Sequence, residues 1–493
     1  MLENRCLPFK KKGEYIDYMI LAEVAKLPAK FDCLKHPVIF ELESLTFTPF
    51  HLVTLLIFIC AIIHTLFAYK VQQWARKLEL HQREKRVGKK RERSLLVHLL
   101  YFLSEVEVVF AVWVIPLFVT IALKYGWTMG LEYINTRDYT EALFVVVILA
   151  MASTRPIVHA AERLIHWVAK GFGGTMSAWW LVLLTLGPLL GSFITEAGAM
   201  ALCALLLSRQ FFAYHPSKNL AYATLALLFV NISVGGVLTD FASPAVLILA
   251  HCWDWTIADM FITFGWKAAV GIILSNLVYW SYFRKEMILL ETRKAAVGIY
   301  KSHTAKHKET PIPTWITIVH MLFMAWIVTV SHYPAIFIAS FLFFIGFHQA
   351  TKAHQHPIHL ARPLMIGLFL GGLVIHGGLQ GWWVVAMLED LSPTSVMGVA
   401  IALTGFNDNA GISYLCTLVP DWGDAFKYAV FTGVVAGGGL TVIANAPNPA
   451  GYAILKKHFE KGINPIHLFL AASIPTAILY AIYYFFGPLF QSS

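Results

Sequence analysis

The sequence predicts an all-α polytopic membrane protein with about ten spanning helices and two re-entrant helical hairpins, arranged as an inverted repeat. Three observations carry that prediction. Of the 493 residues, 58% are hydrophobic and only 14% charged, and the apolar residues fall in stretches long enough to span a bilayer. Basic and acidic connectors alternate along the chain in the way that orients membrane helices. A short signature also occurs twice, each time where a membrane helix should continue but is interrupted by glycine, proline and asparagine.

Residues 1–46 form a polar lead that reads as an amphipathic or loosely ordered extension, with no cleavable signal peptide evident. Residues 47–170 hold the first spans and act mainly as scaffold. Span one covers about 47–70. The segment Val71–Ser94 then carries nine Lys/Arg against three Glu, which marks it as a cytoplasmic loop. Span two, about 95–124, leads out to the acid-containing link Glu132–Glu141, and span three, about 142–160, returns to Arg155, Arg163 and Lys170. A second basic linker, 283–313, holds seven Lys/Arg against three Glu and fixes the middle of the chain on the same side.

Between those two anchors the path closes only if residues 174–208 enter and return as a hairpin. Span four, about 219–250, then reaches the acidic link Asp254–Asp259, and span five, about 261–282, comes back, completing a first repeat core over 174–282. The second half runs the same plan upside down. Scaffold spans fill 314–388, as spans six (314–331), seven (335–350) and eight (364–388), and the last exits at Glu389-Asp390. The second repeat core, 392–487, holds a hairpin over 392–420 that is entered from outside, span nine (about 424–454) and span ten (about 464–487). With this path every Lys/Arg-rich link lies inside and every acidic link outside.

The duplicated signature explains why the breaks matter. Its first copy is Ala197-Gly198 with Leu202-Cys203, followed by Gly235-Gly236 and the run to Pro244; its second is Ala410-Gly411 with Leu415-Cys416, followed by Gly437-Gly438-Gly439 and the run to Pro447. Backbone without helical hydrogen bonds survives in a bilayer only where it lines a polar cavity, so paired interruptions in two halves point to a transporter's binding site. The glycines let backbone come close to a ligand.

Around the first break lie Asn231, Thr239, Asp240 and Ser243, and around the second Thr441, Asn445 and Asn448. Aligning the Ala-Gly pairs sets Thr195-Glu196 opposite Asp408-Asn409, with Asn407 just before. Carboxylate, hydroxyl, amide and carbonyl oxygens are what a hard cation such as Na⁺ takes, and no basic residue lies inside either motif. A carboxylate withdrawn from water prefers its neutral form, so H⁺ and Na⁺ compete for it and exchange follows. The candidate ion ligands are Asp408, Glu196 and Asp240, in that order.

Each has a structural alternative. Asp408 and Asp240 sit where a helix cap is wanted, Glu196 suits a helix N-terminus, and Asn445 and Asn448 flank prolines that alone make a turn. Glu105 and Glu107 fall in span two and read as scaffold or dimer contacts. Lys267 lies near the outer end of span five, where it could snorkel, and Trp179-Trp180 read as interfacial anchors. His348, His354, His356 and His359 match no zinc spacing and read as a solvated loop, and the six cysteines show no metal-ligand or disulfide framework. The net charge of +9 sits in short connectors, which argues against a nucleic-acid partner. No nucleophile–base set clusters at the breaks, so an enzyme is not expected, and no cofactor is implied beyond transported or coupling Na⁺ and H⁺.

At these residues the chain resembles the ion transporter superfamily, which includes sodium/proton antiporters, arsenite pumps and citrate or dicarboxylate carriers. The run Gly437–Pro449 and the turn Thr195-Glu196-Ala197-Gly198 are similar to the bacterial family labelled putative sodium/proton antiporters, over about residues 95–487. The resemblance implies an inverted-repeat transporter fold, usually a homodimer in a bacterial inner membrane, with a scaffold and a subdomain that shifts across the bilayer. It implies a multi-pass antiporter exchanging Na⁺, or Li⁺ or K⁺, for H⁺. The Ser-Asn-Thr signature of the dicarboxylate branch is replaced by Asn231-Ile232-Ser233 and Asn407-Asp408-Asn409, which weighs against the alternative, a sodium- or proton-coupled carrier of a small di- or tricarboxylate.

Overall fold

A computed structural model of the chain describes residues 48–85, 94–298, 311–388, 391–419, 422–460 and 462–488. The N-terminal extension 1–46, the link Glu389-Asp390 and Asp421 lie outside the described residues. Among the described residues the chain is all-helical, with no strand. Six helices are long and apolar enough to cross a membrane, or nine if three sharply bent pairs each count as one span.

Helix α1 (Pro49–Lys85) is 37 residues long and carries helix well into the segment that the charge pattern assigns to a loop. Lys, Arg, Glu and Gln are good helix formers, so a polar composition ends the membrane span without ending the helix. The single second span is instead α2 (Leu95–Leu103) and α3 (Val106–Tyr125), parted at Ser104, whose hydroxyl turns back onto the Tyr101 carbonyl at 2.7 Å. After α4 (Trp127–Asn135), α5 (Thr140–Ala152) and α6 (Arg155–Gly171) meet at 63°, where Pro156 starts a new helix. Helix α6 buries Ile157, Ala161, Ile165 and Ala169 at i,i+4 spacing, the stripe that seats an amphipathic helix on a core.

The first hairpin is α7 (Met176–Ile194) and α8 (Glu196–Gln210), joined at Thr195. Its arms fold back on each other: a Cβ on Gly191 would meet Ala199 at 3.3 Å, and one on Gly187 would run into Cys203. Next comes α9 (Lys218–Gly235), capped by Ser217 and buried at every residue from Leu220 to Gly235. A helix this apolar with no exposed face has protein on all sides, which places it at the centre of the molecule. The chain resumes as α10 (Pro244–Cys252), then a six-residue π-helical stretch Met260–Gly265 leads into α11 (Trp266–Tyr282) and α12 (Arg284–Gly298).

In the second half α13 (Thr314–Thr329), α14 (Pro334–Ala350), α15 (Ala361–Gly377) and α16 (Gly381–Leu388) lead to α17 (Pro393–Phe406) and α18 (Asn409–Thr417). Then follow α19 (Asp424–Gly437), α20 (Asn448–Leu455) and α21 (Pro465–Phe485). Helix α7 packs beside α9, and α17 beside α19. The second arm of each hairpin reaches across to the other half: α8 packs on α20, and α18 on α10.

Two sequence expectations change here. Lys267 does not snorkel: it is 5% exposed, 3.3 Å from the Tyr428 hydroxyl and over that ring. Trp180 is no interfacial anchor, since it is fully buried and donates to Thr224 at 2.9 Å. Both face α9, α19 or their neighbours, so burial follows from which element lies at the centre and not from distance along the span.

Candidate ion-binding site

The site grows from four places where helices end inside the protein. At the first hairpin turn Thr195 adopts φ 66°, a left-handed value that L side chains seldom take, and its hydroxyl caps α8 by accepting from the Gly198 amide at 3.4 Å. At the second turn Asp408 is the cap of α18, accepting from the Ala410 amide at 2.9 Å, with the Gly411 and Ala446 amides nearby. Asn407 ends α17, donating its amide to Leu403 O at 3.0 Å.

The same fastenings recur in both halves. The Glu196 amide donates to Ala242 O at 3.1 Å, and the Asn409 amide to Ala444 O at 3.0 Å. The Thr239 hydroxyl donates to Ser192 O at 2.7 Å, and the Thr441 hydroxyl to Gly405 O at 2.9 Å. The register that pairs Ala197-Gly198 with Ala410-Gly411 also pairs Glu196 with Asn409 and Ser192 with Gly405. The register that pairs the glycine breaks also pairs Thr239 with Thr441 and Ala242 with Ala444. Four hydrogen bonds, two in each half, thus tie the hairpins to their own broken helices at matching positions.

Between these fastenings sits Glu196, 1% exposed. Its Oε2 accepts from Asn445 Nδ2 at 2.8 Å, a bond between the first hairpin and the second break. Its Oε1 is buried without a hydrogen-bond partner, and the Ser243 side chain lies within reach of the carboxylate. Gly236 makes the approach possible, because a Cβ there would come within 2.7 Å of Oε1. Gly438 does the same for the other break: a Cβ would strike Ser233 Oγ and stand 3.1 Å from Asn409 Nδ2. Asn409 Nδ2, Asn445 Oδ1 and Ser413 Oγ are likewise buried without partners. Buried polar atoms usually find partners, so an orphaned Glu196 Oε1 with an orphaned Oδ1 on its Asn445 partner marks a place where a ligand fits.

The residues singled out by sequence therefore divide. Glu196, Ser243 and Asn445 come together, and Asp408 lies near enough to Glu196 to interact electrostatically. Thr239 and Thr441 are spent on carbonyls. Asn448 bridges Gly438 O and Thr441 O, both at 2.8 Å, and so closes the second break. Asn231 donates to Leu184 O and to Asn276 Oδ1, in a buried network below the break. Asp240 is half-buried, and its Oδ1 is buried without a hydrogen-bond partner. Among the described residues no three of His, Cys, Asp and Glu are placed to hold a metal ion, so any cation here would rest on mixed oxygen ligands.

Other residues were not legible as part of the site. Ser192 donates to Gly235 O at 2.7 Å and accepts from the Leu238 amide at 3.0 Å, holding the first break to the hairpin. Ser233 donates to Val435 O at 2.8 Å, locking the two broken helices together. Glu107, assigned to the scaffold by its distance in sequence, acts electrostatically on Asp408. Its one available signal was an acid inside an apolar span.

A family described as Putative Na+/H+ antiporter matches residues 49–486, nearly the whole chain. The chain belongs to that family. Its membership extends the resemblance from the two signatures to the helices outside them, including α1. As a member of the antiporter family it is a multi-pass membrane protein whose substrates are small cations. No curated protein matches the chain.

Proposed function

We propose that the protein exchanges Na⁺ for H⁺ at the Glu196 carboxylate, with Asn445, Ser243 and Asp408 completing the site. The observation that carries this reading is the buried, partnerless Oε1 of Glu196 beside two neutral side chains from opposite halves. An anionic carboxylate there has an unmet electrostatic demand, and a proton or a hard cation each satisfies it. Occupancy by one excludes the other, so cation entry releases a proton without further groups. Asp408, which accepts from the Ala410 amide, sets the field and is the second carboxylate. Asp240, whose buried Oδ1 likewise lacks a hydrogen-bond partner, is a further candidate ligand.

The matched fastenings support an inverted repeat with two re-entrant hairpins among ten spans, in which residues 174–282 and 392–487 form the moving body. In such an elevator the hairpins and broken helices travel together against the helices of 47–170 and 314–388, in a homodimer in a bacterial inner membrane. An empty, charged site is held back by the cost of carrying a carboxylate through hydrocarbon, whereas a loaded one moves. Li⁺ and K⁺ present the same hard-cation chemistry and are alternative substrates. One observation favours a coupled carrier of a small organic anion: Asn409 Nδ2 is a buried donor with no acceptor.

Proteoliposomes carrying a pH-sensitive dye decide between these. Steps of Na⁺, Li⁺ and K⁺ are expected to alkalinise or acidify the lumen according to gradient, and Glu196→Gln to abolish the response. Labelled dicarboxylate uptake stimulated by Na⁺, with no cation-driven proton movement, would replace antiport by the carrier reading.

A further inference from the structure

Away from Glu196, a groove of about 420 Å³ opens where α9, α11 and α21 meet, a volume in the range of ligand sites. Helices α9 and α21 begin there and α11 ends there, at the face that the charge pattern assigns to the inside. Its residues are sorted by depth. Lys218, Asn219 and His467, all exposed, stand at the helix ends and form the mouth. Further in, Val278 of α11 faces Leu470 and Ile474 of α21 as exposed apolar walls, with Tyr282 at the rim. Leu470 and Ile474 share one side of α21 at i,i+4 spacing, as Val278 and Tyr282 do on α11. The floor is fixed by two bonds: the Tyr222 hydroxyl accepts from the Asn464 amide at 2.7 Å, and the Tyr279 hydroxyl donates to Ala471 O at 2.6 Å.

The mouth keeps its positive charge. Among the described residues Lys218 has no carboxylate partner; its ammonium stands 6.0 Å from the centroid of the Tyr222 ring, against which the His467 ring packs edge-on at 5.4 Å. The acid beside the mouth, Glu286, has both oxygens on Ser217, accepting from its amide at 2.6 Å and its hydroxyl at 2.9 Å. Ser217 and Asn464 cap α9 and α21, so the mouth acts through its side chains and not through open helix ends. A basic mouth over an apolar slot that opens sideways matches a molecule with a phosphate at one end and a hydrocarbon chain at the other. Basic pockets between membrane helices take anionic headgroups, and a tyrosine at the rim suits the headgroup level. A free anion would use the mouth and leave the walls uncovered.

We propose that this groove binds an anionic phospholipid, with its phosphate between Lys218 and His467 and one acyl chain between α11 and α21. Bound there, the lipid clasps two helices of residues 174–282 to one of residues 392–487, beside the Tyr222 and Tyr279 bonds, and stabilises their junction. The site is independent of which solute the protein carries.

The test uses the full-length protein in neutral detergent, titrated with short-chain phosphatidylglycerol, short-chain phosphatidylcholine or inorganic phosphate, and read by native mass spectrometry and thermal unfolding. Phosphatidylglycerol is expected to give a saturable adduct and a raised unfolding midpoint, and the other two to give neither at the same concentrations. Lys218→Gln is expected to weaken binding roughly fivefold, the effect of one lysine near an anionic surface. Val278→Trp, which fills the slot from an exposed position, is expected to weaken it at least as much, whereas Lys352→Gln, an exposed lysine that does not line the groove, is expected to change nothing. His467→Gln serves if Lys218→Gln does not fold, and Leu470→Trp if Val278→Trp does not. Equal binding of the two lipids, an effect of Lys352→Gln as large as that of Lys218→Gln, or binding unmoved by either groove substitution overturns the proposal. A response to inorganic phosphate that Val278→Trp leaves intact makes the mouth a free-anion site and overturns it as well.

Discussion

In the first half the hairpin turn places a hydroxyl, Thr195, at the cap and an acid, Glu196, one residue inside the helix; in the second the acid moves to the cap, as Asp408, and an amide, Asn409, follows it. The backbone around both turns is fastened alike, through Glu196 N to Ala242 O and Asn409 N to Ala444 O. One residue of offset changes what the carboxylate can do. At the cap, Asp408 is surrounded by backbone amides and its charge is consumed in closing a helix end. Inside the helix, Glu196 has a longer side chain, one amide partner and one oxygen with none. Matched positions in the two hairpins can therefore share geometry and divide the chemistry.

The comparison breaks most visibly at Glu196. Charge-assisted bonds contribute about 1.5–3 kcal/mol, so Glu196→Gln is expected to weaken cation affinity roughly 10- to 150-fold, measured as direct Na⁺ binding to the purified protein by calorimetry. Asp408→Asn, which keeps a capping oxygen, is expected to cost less. A reversed order would mean that the cap, not the inner acid, is the ligand.

Gly438→Ala comes next. Its Cβ would meet Ser233 and Asn409 inside a packed interior, and overpacking of this kind costs about 1–3 kcal/mol, so thermal unfolding in detergent should shift down. A stability unchanged from the parent would show that the two broken helices can move apart at no cost. Asp408→Ala sharpens the contrast from the other side: loss of an N-cap costs about 0.5–2 kcal/mol, so it should lower stability where Asp408→Asn does not.

The smallest effects test the equivalence itself. Thr239→Ala and Thr441→Ala each remove one hydroxyl-to-carbonyl bond, at about 0.5–1.5 kcal/mol, and the two losses should agree. A clear difference between their denaturation midpoints would mean that only one half relies on its fastening.

Sequence by itself determined the class of the molecule, the places where helices break and the pairing of the two signatures, because each follows from local rules. Apolar runs set spans, Gly, Pro and Asn end helices, and a repeated interruption needs polar company in a bilayer. It also singled out Glu196, Asn445 and Ser243, which the structure brings together. It could not rank them. Whether a carboxylate is saturated or left open depends on amides and side chains brought from far along the chain, such as Asn445 to Glu196 across 249 positions. The same ignorance hid that the Asn448 and Asn231 amide nitrogens are taken by carbonyl oxygens while their Oδ1 atoms stay buried without partners, hid Ser192 among ordinary apolar helix, and set Lys267 at a lipid interface that the packing of α11 on α21 and its Tyr428 contact remove. Only tertiary structure decides which polar atoms are already satisfied, because satisfaction is a property of pairs and the chain reveals one partner at a time.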